Sequence, residues 1–574
     1  MRFATPQPQR RRQPNVVFVL TDDQDVHLSS LDYMPLVKKH LLERGTSFKK
    51  HYATTAVCCP SRVTLWTGRF AHNTNVTDVS PPYGGYPKFV SQGFNDNYFP
   101  VWLQQAGYNT YYTGKLFNAH TVENYNSPAP GGFTGSDFLL DPYTYNYLNS
   151  TFQRNGQEPR GYEGQYSTDV LTEKAYGLLD EAVDAGKPFF LVAAPIAPHA
   201  NVVMNGAPGS DIHSVYFTEP VPAERHKHLF ENVTVPRTAN FNPDQSSGAN
   251  WVATLPQQNN TNVEYNDHFY RQRLRALQGV DELVEGLISR LEEYDLLDDT
   301  YVVYSSDNGF HIGQHRLQPG KSCGYEEDVN VPLIVRGPGV AANYTADGVV
   351  TTHADLAPTF FDILGITTRD DFDGAAIPVT KEKIEQARNA GVRREHAGIE
   401  YWGFAMGEGI YNRDPRQNNT YKALRLSGPG YNLYYSVWCN NEHELYDMSV
   451  DPGQLNNLLS PSSDPLKSPL VVGHSPQKVA ARLDALLLVL KTCASESCRR
   501  PWAQLHPDGD VQSLEDALIP RYDSYYEDKS EAQVKYAYCA NGFLEDAEGP
   551  TWQANGRAYE YEYLRDGARW EDWV

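Results

Sequence analysis

Basic residues are scarce. The 574-residue chain carries 49 Lys and Arg against 71 Asp and Glu, a formal charge of −22. A surface this acidic repels phosphate backbones, which argues against a nucleic-acid partner and requires a local cationic pocket for any anionic substrate. Long hydrophobic runs are also lacking. The best stretches, Pro188 to Pro198 and Leu483 to Leu490, are too short to span a bilayer. The N-terminus has Arg10, Arg11 and Arg12 but no apolar core, so no signal peptide is expected in this chain. No internal repeat is evident. What remains is ordinary globular composition, 40% hydrophobic and 12% aromatic, which excludes global disorder, collagen and coiled coil. The length allows two to four domains, or one large α/β domain with a smaller partner.

Cysteines number seven, an odd count: Cys58, Cys59, Cys323, Cys439, Cys493, Cys498 and Cys539. Cys493 with Cys498 is a candidate local disulfide and Cys439 with Cys539 a candidate second bridge, although sequence does not fix connectivity. Glycosylation sequons begin at Asn75, Asn149, Asn232, Asn259, Asn343 and Asn418.

Several segments read as strands that end in polar clusters. Asn15 to Leu20 is a continuous apolar run ending at Thr21-Asp22-Asp23-Gln24, Tyr108 to Thr113 ends at Gly114-Lys115, Phe189 to Ala194 ends near Pro198-His199, and Thr300 to Tyr304 ends at Ser305-Ser306-Asp307-Asn308-Gly309. Val331 to Val335 reads as a further strand, and Phe99 to Ala106 as a short helix. The clearest helix spans about Asp267 to Tyr294, where Leu274, Leu277, Val280, Leu283, Val284, Leu287, Ile288 and Leu291 form one apolar face. Strands alternating with helices predict a mostly parallel sheet covered on both faces. In such sheets ligands bind beyond the carboxyl ends of the strands, so Asp22-Asp23, Lys115, His199 and Asp307-Asn308 are expected to meet there.

Beyond Ile366 the pattern changes. Thr367 to Arg394 reads as a connection, followed by a smaller α+β domain with strands at Gly398 to Trp402 and Asn432 to Trp438 and a helix capped by Ser475-Pro476. The expected organisation is an arm over 1–14, a large α/β domain over 15–380 that carries these polar clusters, and a smaller domain with the tail over 395–574. The last stretch, Tyr522 to Val574, reads as a tail lying over the surface.

The most specific stretch is Cys58-Cys59-Pro60-Ser61-Arg62, followed after four residues by Thr67-Gly68-Arg69. It resembles the signature of the type I sulfatases, whose first motif cysteine is oxidised to formylglycine. The resemblance makes Cys58 the modified residue and leaves six other cysteines. It implies a large alkaline-phosphatase-like α/β domain with a smaller C-terminal domain, and hydrolysis of sulfate monoesters through a covalent formylglycine-sulfate ester. It also implies a formylglycine-generating enzyme as maturation partner, and a secreted or lysosome-like location. A hydrated aldehyde supplies two hydroxyls: one attacks sulfur, and the other loses its proton to expel sulfate. Plain serine lacks that second route.

Asp22, Asp23, Asp307 and Asn308 offer only oxygen donors, which suits Ca²⁺, or less well Mg²⁺, and not zinc. The resemblance places that Ca²⁺ beside residue 58. It also assigns Arg62 to holding the formylglycine, Lys115 and Lys321 to neutralising sulfate oxygens, and His199 to binding the ester oxygen as candidate general acid. The chain departs from many relatives at Phe117, where they carry a histidine two positions after the lysine. Asn118, or less plausibly His120, is a candidate for that role, and His311 and His315 are candidate substrate contacts. The stretches TDDQD, AVCCPSR, GKLFN, APHA and SSDNGFHIGQH most resemble the N-acetylglucosamine-6-sulfatase branch and fungal arylsulfatases. The net charge favours a small aryl sulfate or a terminal sulfated sugar over a heavily sulfated polymer. Two other readings stay open: a phosphate or phosphonate ester hydrolase on the same fold, and a non-catalytic secreted glycan-binding protein.

Overall fold

Every residue of the strand Asn15–Thr21 is buried, and its side chains divide between two cores. Val16, Phe18 and Leu20 pack with Val63, Leu65 and Trp66 of the helix Cys58–Thr67 and with Phe360 of the helix Leu356–Leu364. Val17 and Val19 pack on the other face with Leu171 and Leu178 of the helix Ser167–Asp184 and with Leu277 and Leu287 of the long helix Asn260–Glu293. Successive strand residues point to opposite faces, so an apolar run without alternation is what a sheet covered twice demands. The protein is described by a computed structural model over residues 13–204, 215–389, 394–411, 414–460, 469–527 and 533–552.

The central sheet has ten strands. Five neighbours at its heart, Thr300–Ser306, Asn15–Thr21, Phe189–Ala194, Asn109–Gly114 and Gly135–Leu139, run parallel in that order. Antiparallel pairings occur toward both flanks: Leu333–Arg336 pairs antiparallel to Thr300–Ser306 and to Thr46–Phe48, and Asn149–Arg154 pairs antiparallel to Gly135–Leu139. The sheet draws on residues up to Ala346, whereas a separate four-stranded antiparallel sheet begins at His396 and carries the helix Pro476–Leu490. Ser475 caps that helix by accepting from the Lys478 amide, as the Ser-Pro pair predicts. The protein thus has the expected α/β class with a smaller α+β part.

Three sequence expectations need correction. The long helix starts at Asn260 rather than near Asp267, because the Asn259 side chain caps it and Tyr265, Phe269 and Tyr270 continue its buried face. Residues 367–394 are not wholly a connection, since Lys381–Asn389 is helical. The tail is built into the second part of the molecule up to residue 552. Tyr526, Val534 and Tyr536 are buried, Trp402 Nε1 donates to Glu548 Oε1 at 2.6 Å, and Cys539 is bonded to Cys439. Residues 1–12 of the expected arm, and 553–574, lie outside the described residues. The second disulfide is Cys493–Cys498. Setting Cys58 aside does not pair the remainder: Cys59 and Cys323 are also free and buried. Each sequon asparagine is exposed or half-buried. No helix among the described residues is long and apolar enough to cross a membrane.

A buried pair joins the two parts of the chain. His72 Nδ1 lies 2.8 Å from Glu400 Oε2, and His72 Nε2 lies 2.8 Å from the Cys493 carbonyl. Both partners accept only, so the ring satisfies both bonds when doubly protonated. Burial works against the charge on His72, but Glu400 more than offsets it and raises the pKa above 6.5. Burial likewise works against the charge on Glu400, yet His72 and Lys422 lower its pKa from 4.5 to about 2. A raised histidine stabilises below 6.5 and loses its contribution as pH rises through its folded pKa. A depressed carboxylate stabilises above 4.5 and loses its contribution as pH falls toward 2. The pair therefore stabilises most between these ordinary values. His72→Gln should cost about 2–3 kcal/mol there and progressively less as pH rises through the raised pKa of His72, read as the pH profile of thermal unfolding. An equal loss at all pH values would show that the imidazolium is not the source.

Candidate active site

Strand register assembles the site. Thr21 pairs with Ser306, so Asp22-Asp23 and Asp307-Asn308 leave the sheet side by side. Gly114 pairs with Ala194, which brings Lys115 and the His199 turn to the same edge. Gly114 has φ +106°, and a Cβ there would stand 2.1 Å from the Ala194 carbonyl oxygen, so only glycine fits. The Cys58 helix starts beneath this edge.

The acidic residues are held by their backbones as well as their charges. Asp23 sits in the left-handed region at φ 66°, unusual for a non-glycine residue. Its N–H donates to Asp307 Oδ1 at 3.0 Å, and Arg273 Nη2 donates to its carbonyl at 2.5 Å. These bonds hold a strained conformation that presents both aspartates to one point. Cys58 Sγ lies 3.4 Å from Asp22 Oδ1, and Asp22, Asp23, Cys58 and His199 offer ligand atoms all within 4.8 Å of one another. Asn308 donates through Nδ2 to Asp23 Oδ1 at 2.8 Å, while its own Oδ1 is buried without a partner.

Three buried cations interleave with these groups. Arg62 donates from Nε to Asp307 Oδ2 at 2.8 Å and from Nη1 to the Lys115 carbonyl at 2.5 Å. Lys115 Nζ lies 2.5 Å from Asp22 Oδ2. Lys321 Nζ lies 2.6 and 2.7 Å from the two oxygens of Asp23 and 3.0 Å from Glu408 Oε1, which can occupy all three of its hydrogens. Burial alone raises the Asp22 pKa, but Lys115, His199 and Arg62 together lower it to about 2. Burial opposes the charge on Lys115 and Lys321, and Asp22 and Asp23 respectively overcome it and raise both. Burial pushes the Cys58 thiol well up, and Asp22 adds to the shift. A thiol so placed is a poor nucleophile as it stands.

His199 Nδ1 lies 2.7 Å from the Ala200 carbonyl, so that nitrogen carries a proton, and Nε2 faces Asp23 Oδ2 at 3.6 Å. Phe117 is buried against Phe89, with ring centroids 4.5 Å apart, and takes no part in the polar cluster. His120 is buried against Tyr86, and burial lowers its pKa to about 4. Asn118 faces the site's aromatic wall: Nδ2 donates to Tyr145 Oη at 2.7 Å, and Oδ1 has no partner. His311 is oriented by Asp328, Nδ1 to Oδ1 at 2.7 Å, and lines a small recess together with Lys321, Trp251 and Met406. His315, the other expected substrate contact, is also buried, and its Nε2 has no partner. A left-handed turn at φ 53° sets its ring against Tyr325 at 4.1 Å, Nδ1 pairs with Ser247 Oγ at 2.8 Å, and burial lowers its pKa to about 4.

Sequence reasoning missed four residues. Arg273 braces Asp23 from the long helix. His353 Nδ1 meets Ser61 Oγ at 2.7 Å, and Ser61 donates to the Asp307 carbonyl at 2.5 Å, tying the Cys58 helix to the ligand loop. Glu408 reaches Lys321 from beyond residue 400. Tyr145 stacks on His199 with centroids 4.2 Å apart. Only Arg273 carried a signal, as a basic residue on the buried face of the long helix, beside Leu274 and one turn before Leu277.

Oxygen donors, a buried sulfur and three cations at the edge of the sheet's parallel centre suit a hydrolase for anionic esters. Residues 14–366 match the family model described as Sulfatase, and residues 313–471 match the one described as N-sulphoglucosamine sulphohydrolase, C-terminal. An arylsulfatase of Volvox carteri is 39% identical over 547 residues, covering 92% of this chain and 82% of its own. Human N-acetylglucosamine-6-sulfatase is 31% identical over 527 residues, covering 85% and 86% respectively. A solved structure described as a complex with the substrate D-glucosamine-2-N,6-O-disulfate superposes with a TM-score of 0.62 at 23% identity, covering 79% of this chain and 94% of that one, so the two share the fold. The chain belongs to the sulfatase family, enzymes that hydrolyse sulfate esters.

Proposed function

We propose that this protein hydrolyses sulfate monoesters at Cys58 oxidised to formylglycine, with Ca²⁺ held by Asp22, Asp23, Asp307 and Asn308 beside residue 58. The observation that carries the reading is Cys58 Sγ within hydrogen-bonding reach of Asp22, inside a buried cluster of three carboxylates and three cations. With Glu408, which pairs with Lys321, the groups sum to one net negative charge, and a divalent ion would turn that to one net positive charge, suited to an anionic ester. The donor set fits the ion. It is all oxygen, and the unpartnered Asn308 Oδ1 is a neutral ligand atom awaiting a cation. Ca²⁺ supplies polarisation of a sulfate oxygen, and formylglycine supplies the paired hydroxyls for attack and release.

The chain's own residues bind, orient and move a proton. Arg62 fixes Asp307 and the Lys115 backbone, and so holds the two halves of the site in register. Lys115 and Lys321 balance sulfate oxygens. Lys321 would share the Asp23 lone pairs with a bound ion, which would leave one of its N–H groups for sulfate. His199, its Nδ1 committed to Ala200, presents Nε2 to the leaving oxygen as general acid when doubly protonated. His311 contacts the organic group from the rim. The substrate class is a small aryl sulfate or a terminal sulfated sugar, in line with the names of the relatives. Two disulfides support maturation in an oxidising compartment, where a formylglycine-generating enzyme acts, and hence secretion or a lysosome-like destination. The catalytic part is assigned to residues 15–380 and the smaller domain to 395–574.

Peptide mass spectrometry across residue 58, on protein from its native host, should show a loss of about 18 Da for thiol converted to aldehyde. The same preparation should turn over 4-nitrophenyl sulfate faster than 4-nitrophenyl phosphate. An intact thiol in the native protein would defeat the reading, and a preference for phosphate would move the assignment to the phosphoester alternative.

A further inference from the structure

Tyr145 touches three residues of the site at once. Its ring stacks on His199 at 4.2 Å with an interplanar angle of 28°, Lys115 Nζ lies 4.9 Å from its centroid, and its Oη accepts from Asn118 Nδ2 at 2.7 Å. It is 7% exposed and projects from the segment between the strands Gly135–Leu139 and Asn149–Arg154. A phenol has one proton to donate and two lone pairs to accept with. Asn118 uses a lone pair, and the hydroxyl proton has no acceptor among the described residues. A buried O–H left unspent costs free energy unless something accepts from it. The amide beside it is equally incomplete, with its Oδ1 buried and unpartnered.

The pair stands where the sequence departs from many relatives. Phe117, in the position where they carry a histidine, is turned into the aromatic core. Asn118, one residue on, faces the site through Tyr145. Because Nδ2 donates to Oη, the phenolic proton must point elsewhere. The ring's contacts with Lys115 and His199 place it beside the groups assigned to the sulfate and to the leaving oxygen.

On the sulfatase reading above, we propose that Tyr145 is a further catalytic residue, oriented by Asn118, that donates a hydrogen bond from Oη to the ester oxygen as it departs from sulfur. The bond to sulfur breaks, charge grows on that oxygen, and the phenolic hydrogen bond strengthens with it, while the proton that completes the alcohol still comes from His199. Tyr145 keeps its own proton. Burial pushes its phenol well above the usual value, and Asp22 adds to the shift, as suits a donor and not a base. The amide Oδ1 remains as an acceptor for a hydroxyl on the leaving group.

A leaving-group series tests this. Wild type, Tyr145→Phe and Asn118→Ala are prepared as full chains with equal formylglycine content by mass spectrometry, and are assayed on phenyl sulfates of decreasing leaving-group acidity and on an alkyl sulfate, glucose 6-sulfate. Tyr145→Phe keeps the ring and its stack. It should lower kcat/KM by about 10–100-fold on the alkyl sulfate but by less than about threefold on 4-nitrophenyl sulfate, whose leaving oxygen needs little help. Asn118→Ala should steepen the leaving-group dependence in the same direction. A loss that is uniform across the series, or no loss, would overturn the assignment and leave Tyr145 a packing platform. Failure of the formylglycine-bearing wild type on every sulfate would instead remove the sulfatase reading, and this proposal with it.

Discussion

Replacing Cys58 by alanine should lower kcat on 4-nitrophenyl sulfate by about 10⁴-fold or more while the fold survives. The residue is buried at the first turn of its helix, and its thiol is pushed up by burial and by Asp22, so the unmodified sulfur has little reactivity to lose. What alanine removes is the atom from which the nucleophile is made. Cys58→Ser gives a second and different expectation. Serine can accept the sulfuryl group but has no second hydroxyl to expel it, so the variant should release at most about one equivalent of phenol and then stall. The measurement is a pre-steady-state time course of phenol release, with unfolding followed in parallel. Near-normal turnover in the alanine variant would remove Cys58 from the chemistry.

Stripping divalent ions from the wild type should reduce activity by about 10²-fold or more, and Ca²⁺ should restore it better than Zn²⁺. The argument is the composition of the buried cluster: Asp22, Asp23, Asp307 and Asn308 present oxygen alone, and the orphaned Asn308 oxygen has no other use among the described residues. Asp307→Asn should weaken Ca²⁺ recovery and also loosen Arg62, whose Nε donates to that carboxylate. The check is activity against free Ca²⁺ for both proteins, together with calcium content by elemental analysis. Full activity after exhaustive chelation, with no calcium retained, would refute a catalytic metal.

The two expectations differ in how each residue became visible. Cys58 was legible because a contiguous motif carries it. The proposed metal ligands were legible as pairs of polar residues ending apolar strands, and the parallel register of Thr21 with Ser306 brings the pairs together. His315 was legible as part of the stretch that also holds His311, but its stacking on Tyr325, set by a left-handed backbone, was not. The C-terminal tail misled because its composition is polar and aromatic. Its burial depends on Cys439, Trp402 and Lys491, which lie distant in sequence.

The sequence by itself determined the strand–helix alternation, the long amphipathic helix, the scarcity of basic residues and the motif around Cys58. Each of these is local, since periodicity, capping and contiguous motifs operate over a few turns of chain. The tertiary structure alone decided which polar groups meet. Tyr145 reaches His199, Arg273 braces Asp23, Glu408 pairs with Lys321, and Ser61 joins His353 across 292 residues of sequence. Those contacts rest on sheet order and on the packing of helices over both faces. Arg273 apart, neither leaves a mark at the positions concerned, because a buried ion pair or stacked ring is specified by its partner and not by its neighbours along the chain.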